Sequence, residues 1–160
     1  MQTTTLPQVE QSTAIKIKRI LVPMDFSPAS QKALDYALRL GEAFGSTITL
    51  LHVVEPAGMM SLSDFPLATQ EADFFDSERK LKALATSSAV NGQLKWKVRT
   101  GVAGHEIVET AKQEDVDLIV IATHGLTGWK HFCIGSTAER VARAASCPVL
   151  VVREKEHEFI

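Results

Sequence analysis

Four short runs of apolar, largely β-branched residues set the limits on what this chain can become: Ile20-Leu21-Val22, Ile48 to Val54, Leu118 to Ile121 and Val149 to Val152. Consecutive apolar residues in a strand must be covered on both faces, which is the signature of a parallel sheet buried between helices. The stretches between the runs have helical spacing. Apolar residues recur at Ala33, Leu34, Ala37, Leu38, Gly41 and Phe44 in the first of them. Alternation of such strands and helices predicts an α/β domain, a single open doubly wound sheet with right-handed crossovers.

The punctuation fits this order. Strand one, Ile20 to Pro23, ends at Pro23-Met24-Asp25. Ser27-Pro28 then reads as an N-cap followed by proline at the first helical position, and Gly45 as a left-handed C-cap. Strand two spans Ile48 to Val54. Glu55 to Thr69 reads as a long irregular connection with Pro56, Gly58 and Pro66, either packed onto the domain or serving as a lid or partner surface. A second helix is expected over Ala72 to Ser88, with Phe75, Leu81, Leu84 and Ala85 inward. Leu94, Trp96 and Val98 alternate with Lys95, Lys97 and Arg99, as in a half-exposed edge strand. After a turn at Gly101 to Gly104, Ile107, Val108 and Ala111 mark a short helix. Strand four, Val116 to Ala122, empties into the glycine-punctuated stretch Ala122 to Thr137. A last helix carries Ala138, Val141, Ala142 and Ala145 as its stripe before strand five, Val149 to Val152.

The stretch after strand four suits anion binding. Gly125, Gly128 and Gly135 allow close approach of backbone N–H groups, and a helix start offers unpaired donors with a favourable dipole. Ser136 and Glu139 have capping-box spacing, so the helix is expected to begin with Ser136 as its cap. In open sheets of this class ligands bind beyond the carboxyl ends of the strands, where the strand order reverses. With strand one central and strand four beside it, Pro23-Met24-Asp25 and Ala122 to Thr137 meet there. Asp25 can accept from a ribose hydroxyl, help hold Mg²⁺, or simply cap the turn into the first helix. Gly125, Gly135, Ser136 and Thr137 are the candidate phosphate-loop residues; His124 either contacts phosphate, acts as an acid or base, or fixes the loop by hydrogen bonding, and Lys130 and His131 either neutralise phosphate or are solvated. His52, inside an apolar strand, reads as a hydrogen-bonded core histidine.

Bulk properties narrow the partners. A chain of 160 residues with 45% hydrophobic and 22% charged residues suits one globular domain. We divide it into a flexible leader at 1–15, a domain at 16–154 and a tail at 155–160. Net charge is −2, against the basic face that nucleic-acid binding usually needs. No run approaches the ~20 apolar residues of a membrane helix, and the start lacks a signal-peptide core, so a cytoplasmic location is expected. Cys133 and Cys147 form neither a disulfide framework nor a metal pattern. G-x-S-x-G, the Walker pattern and a G-x-G-x-x-G after strand one are all absent, and no catalytic set can be named.

At this point the chain resembles the universal stress protein family, in its adenine-nucleotide-binding branch. The likeness runs from Lys18 to Arg153. It is carried by Ile20-Leu21-Val22-Pro23-Met24-Asp25-Phe26-Ser27, Leu51-His52-Val53, Thr123-His124-Gly125, Gly135-Ser136-Thr137-Ala138-Glu139-Arg140-Val141 and Cys147-Pro148-Val149-Leu150-Val151-Val152. The family's ATP motif is glycine, two residues, glycine, nine residues, then glycine and Ser or Thr. Gly125, Gly135 and Ser136 fit it, and Ala122 replaces the first glycine. The resemblance implies the strand order 3-2-1-4-5 of the adenine nucleotide alpha hydrolase-like folds. It also implies ATP, ADP or AMP as ligand, with or without Mg²⁺. By the same likeness Asp25 contacts adenine or ribose, and the Val53 backbone recognises adenine. Thr123, His124 and Gly125 line the entry to ribose and phosphate, and Gly135, Ser136 and Thr137 hold phosphates. A homodimer through Val149 to Val152 and a further protein partner are implied as well. Three functions stay open on this reading: a nucleotide-dependent regulatory dimer, a slow ATPase or phosphohydrolase, and a nucleotide-independent chaperone-like protein.

Overall fold

The computed structural model describes residues 15–56, 67–88, 94–123 and 134–153. Their order is β1 (Arg19–Pro23), α1 (Pro28–Phe44), β2 (Thr47–Val54), α2 (Leu67–Ser88), β3 (Leu94–Thr100), α3 (Ala103–Gln113), β4 (Leu118–Ala122), α4 (Ser136–Ala144) and β5 (Val149–Val152). The strands form one parallel sheet in the order β3-β2-β1-β4-β5. This is the expected doubly wound arrangement, with β1 central. The connection expected between β2 and α2 falls largely outside the described residues, as do the leader and the tail.

Successive residues of the inner strands enter two different cores. Ile20, Val22, Ile48, Leu50, Leu118, Val120 and Ala122 pack with Ala33, Leu34 and Ala37 of α1 and with Leu81 and Ala85 of α2. Leu21, Leu51, Ile119 and Ile121 pack on the other face with Ile107 and Ala111 of α3 and Ala138 and Val141 of α4. The two-residue period of a strand therefore explains why these runs carry apolar residues at successive positions.

Helix α1 is bounded as its sequence demands. Ser27 Oγ accepts from Ser30 N at 3.1 Å, Pro28 follows, and Gly45 closes the helix at φ 68°. Several side chains depart from expectation. Helix α2 begins at Leu67, earlier than Ala72, and Phe75 is 64% exposed. Its inner stripe runs through Ser77, Leu81 and Ala85, one turn apart, and Phe75 lies off that line. Ala142 of α4 faces solvent, because the helix is short and buries only Ala138 and Val141. Trp96 is 38% exposed on the edge strand. The basic row of β3 is only partly solvated: Lys95 is exposed, whereas the other two cations are paired. Lys97 pairs with Glu114 beyond the end of α3, and Arg99 bonds Glu106 and Gln113 within it.

The base of the sheet is tied by Asp117. Its Oδ2 accepts from Lys18 N at 2.8 Å and Arg19 N at 2.9 Å, and its own N–H returns to Arg19 O. Those backbone donors hold its carboxyl below the usual aspartate range. A group depressed in the folded state stabilises above its unfolded pKa and stops doing so as pH falls through the folded value. Asp117→Ala is expected to lose about 1 kcal/mol at neutral pH, an amount tempered by solvent exposure. The gap from the parent protein should close in denaturant melts as pH falls below the ordinary aspartate value of about 3.9.

Candidate functional site

At the carboxyl end of the sheet the chain leaves β1 for α1 on one face and leaves β4 for α4 on the other. A crevice opens between diverging connections of this kind. The structure brings together there the ends of β1, β2 and β4 and the start of α4.

On the β1 side, Pro23 pairs with Leu51, and Met24, 3% exposed, donates its N–H to Leu51 O at 2.8 Å. Asp25 turns the chain: its Oδ1 accepts from Ser27 N at 3.0 Å and from Ser27 Oγ at 2.6 Å. The turn-capping role for Asp25 is therefore realised. Ser27, 3% exposed, spends its hydroxyl on Asp25 and on the α1 cap. Phe26 between them adopts φ 63°, unusual for a bulky residue. Its ring lies 4.7 Å from that of His52, with Lys80 Nζ of α2 5.6 Å from the Phe26 centroid. His52 is half-buried, and its Nδ1 lies 2.6 Å from Met24 O. A carbonyl can only accept, so Nδ1 carries the proton.

The ladder itself locates Val53. Leu51 O faces β1, where it receives Met24 N. Val54 O faces β3, where it receives Gly101 N at 3.1 Å. Backbone groups two residues apart point the same way, so the N–H and C=O of Val53 face β1, beyond its last strand residue. They form a donor–acceptor edge that looks over the crevice. Glu55 fastens the next corner, its Oε1 accepting from Ala103 N at 2.8 Å at the start of α3. The N-cap of that helix is Val102, which has no capping side chain of its own. Neither the Glu55 tie nor the Phe26–His52 stack was legible beforehand, although a capless helix start after a β-strand does call for a distant acceptor.

On the β4 side, Ala122 is the last strand residue, in register with Val152 and 9% exposed. Its methyl packs in the α1-side core, away from the opening, and its φ is not positive. The alanine thus occupies the first glycine position of the motif without backbone strain. Thr123, 5% exposed, donates its N–H to Val152 O and accepts from Gly135 N at 2.7 Å. The two ends of the glycine-punctuated stretch are therefore pinned to each other. His124 and Gly125, with Lys130, His131 and Cys133, lie outside the described residues.

The start of α4 corrects one expectation. Gly135, at φ −60° and ψ 151°, is the N-cap, and Ser136 is already helical. The capping box does not form, since Glu139 turns forward to Arg143 (Nε to Oε1, 3.1 Å). The first intrahelical bond is Glu139 N to Gly135 O. Among the described residues no side chain caps the N–H groups of Ser136, Thr137 and Ala138, which lie at the positive end of a helix dipole. Among the described residues no group of three His, Cys, Asp or Glu side chains stands ready for a metal ion. Cys147 precedes β5 at the opposite end of the sheet, and burial pushes its thiol pKa up. The described residues set a donor–acceptor backbone edge, a carboxylate and a helix N-terminus at the carboxyl ends of neighbouring strands.

The fold and these segments have relatives. The model of the universal stress protein family matches residues 16–153. Universal stress protein MJ0531 of Methanocaldococcus jannaschii is 32% identical, over 88% of this chain and 85% of its own. The solved structure of universal stress protein UspA from Lactobacillus plantarum is 31% identical, with a TM-score of 0.73 over 87% of this chain and 99% of that one. The structure of MJ0577, also of Methanocaldococcus jannaschii, superposes with a TM-score of 0.78 at 28% identity, covering 89% and 100%. On the family match, the relatives and the shared fold, the chain belongs to the universal stress protein family.

Proposed function

We propose that this protein binds an adenine nucleotide (ATP, ADP or AMP) across the crevice, and works as a nucleotide-responsive homodimer in the cytoplasmic stress response. One observation supports the reading: the Val53 backbone edge lies past the last β1 residue, and α4 starts beyond the end of β4, the strand on the other side of β1. A donor–acceptor backbone pair is complementary to the edge of a nucleobase, and a helix N-terminus to phosphate. Asp25 lies between them in the sheet order, placed to accept from ribose hydroxyls. Pro23 and Met24 form the floor below it, and Ala122 and Thr123 the floor below the phosphates. On the phosphate side Ser136 and Thr137 would supply backbone donors and Gly135, its own N–H held by Thr123 O, would leave room for the phosphates, while His124 and Gly125 are assigned to this side by the family resemblance alone. Mg²⁺ would arrive on the phosphates, which commonly supply much of its coordination. A universal stress protein of the same fold, 21% identical with a TM-score of 0.65, has been solved in complex with cAMP. No helix among the described residues is long and apolar enough to cross a membrane.

The dimer rests on β5. Thr123 N bonds Val152 O and Ile119 N bonds Pro148 O, so alternate residues of β5 face β4. The backbone groups of Val149 and Val151 consequently point outward along a short apolar edge, which a second copy would cover.

Titration calorimetry tests the ligand. ATP should bind with a Kd below about 1 mM, and absence of binding heat at millimolar ATP, ADP and AMP removes the proposal. Gly135→Val should weaken ATP at least tenfold, about 1.4 kcal/mol, because its side chain would fill the space before α4. Valine tolerates the Gly135 backbone angles, so the melting temperature should move by no more than about 3 °C. For the dimer, Val151→Pro removes an outward N–H and no ladder bond. It should give a folded monomer by light scattering, and an unchanged dimer would place the interface elsewhere.

A further inference from the structure

Resting on the nucleotide reading above, we infer that His52 is a positioning residue that keeps the Val53 N–H open for the base. A parallel ladder that has made the bond from Met24 N to Leu51 O continues with a bond from Val53 N to Met24 O. That next bond is not made. Instead Met24 O receives the His52 Nδ1–H at 2.6 Å. The imidazole comes from the residue before Val53, whose own backbone faces β3 and whose ring reaches back beneath the crevice. Phe26 holds the ring in place at 4.7 Å with an interplanar angle of 38°. The strained Phe26 backbone, φ 63°, is what delivers that ring to His52.

The consequence is a competition for one carbonyl. While His52 occupies Met24 O, the ladder stops one bond early. Val53 N–H then stays unspent beside its C=O, and both groups of the edge are available to a ligand. Without the imidazole, Met24 O would be left beside the nearest backbone donor, Val53 N–H, and an unmade bond at such a site is costly. Closing that bond converts a recognition edge into a strand residue. The device acts on the base alone, since phosphate meets the other wall of the crevice.

Two variants test this. Asparagine places its amide N–H near the position of Nδ1, whereas alanine offers no donor. In the ligand-free protein the Val53 amide should exchange at least tenfold more slowly in His52→Ala than in the parent, and His52→Asn should restore the parent rate. With ligand, His52→Ala should weaken ATP at least tenfold and leave inorganic tripolyphosphate within twofold. His52→Asn should recover ATP to within threefold. Val53 exchange that is unchanged or faster in His52→Ala overturns the inference, as does slowed exchange in His52→Ala that His52→Asn does not restore. So does ATP binding that His52→Ala does not alter. A parent protein that binds no nucleotide removes the nucleotide reading, and with it this role for His52. Parent binding that both variants leave untouched removes only this role.

Discussion

The crevice depends on where β1 stops. β1 lies at the centre of the sheet, and its pairing with β2 ends at Pro23 opposite Leu51, while β2 continues to Val54. Met24 N–H makes the last bond to β2, Met24 O goes to the His52 ring, and the Asp25–Ser27 turn then carries the chain into α1. A central strand that ends early leaves its neighbour with backbone groups facing empty space. Had β1 run one bond further, the Val53 edge would be an interior piece of sheet.

The same strand is held there by burial. Ile20, Leu21 and Val22 are each 1% exposed or less, and they contribute alternately to the cores above and below the sheet. Each fully buried aliphatic side chain is worth roughly 1.5–3 kcal/mol relative to exposure, so slippage by one residue would exchange the two cores' contents. Asp117 fixes the register from the opposite end by clamping the two amides that precede and open β1. The top of the molecule can therefore carry strained and unspent backbone because its footing cannot shift.

The strand order and element boundaries were largely legible because two-sided burial writes itself into a sequence as unbroken apolar runs. Ser27, Pro28 and Gly45 marked α1 for equally local reasons. What was not legible depended on contacts distant in sequence. Phe75 reads as a core residue until the line through Ser77, Leu81 and Ala85 shows which side of α2 meets the sheet. Ser136 and Glu139 have the spacing of a capping box, yet Gly135 takes the cap because its N–H is drawn to Thr123 O. At the site, glycines and Asp25 could be picked out by type. Val53 could be reached only through resemblance, since its importance is a matter of register, and register is invisible until strands are paired.

The bond from Gly135 N to Thr123 O has a bearing on how this family can vary. It holds Thr123 and Gly135 in direct contact, so the entropy of bringing together the two ends of the segment between them is met by the fold and not by the ligand. Beyond such a closure, doubling a loop costs only about 0.6 kcal/mol. Insertions and deletions within that segment should leave the start of α4 where it stands. Evolution could therefore lengthen, shorten or recompose this segment to suit different partners while the phosphate end of the crevice keeps its geometry.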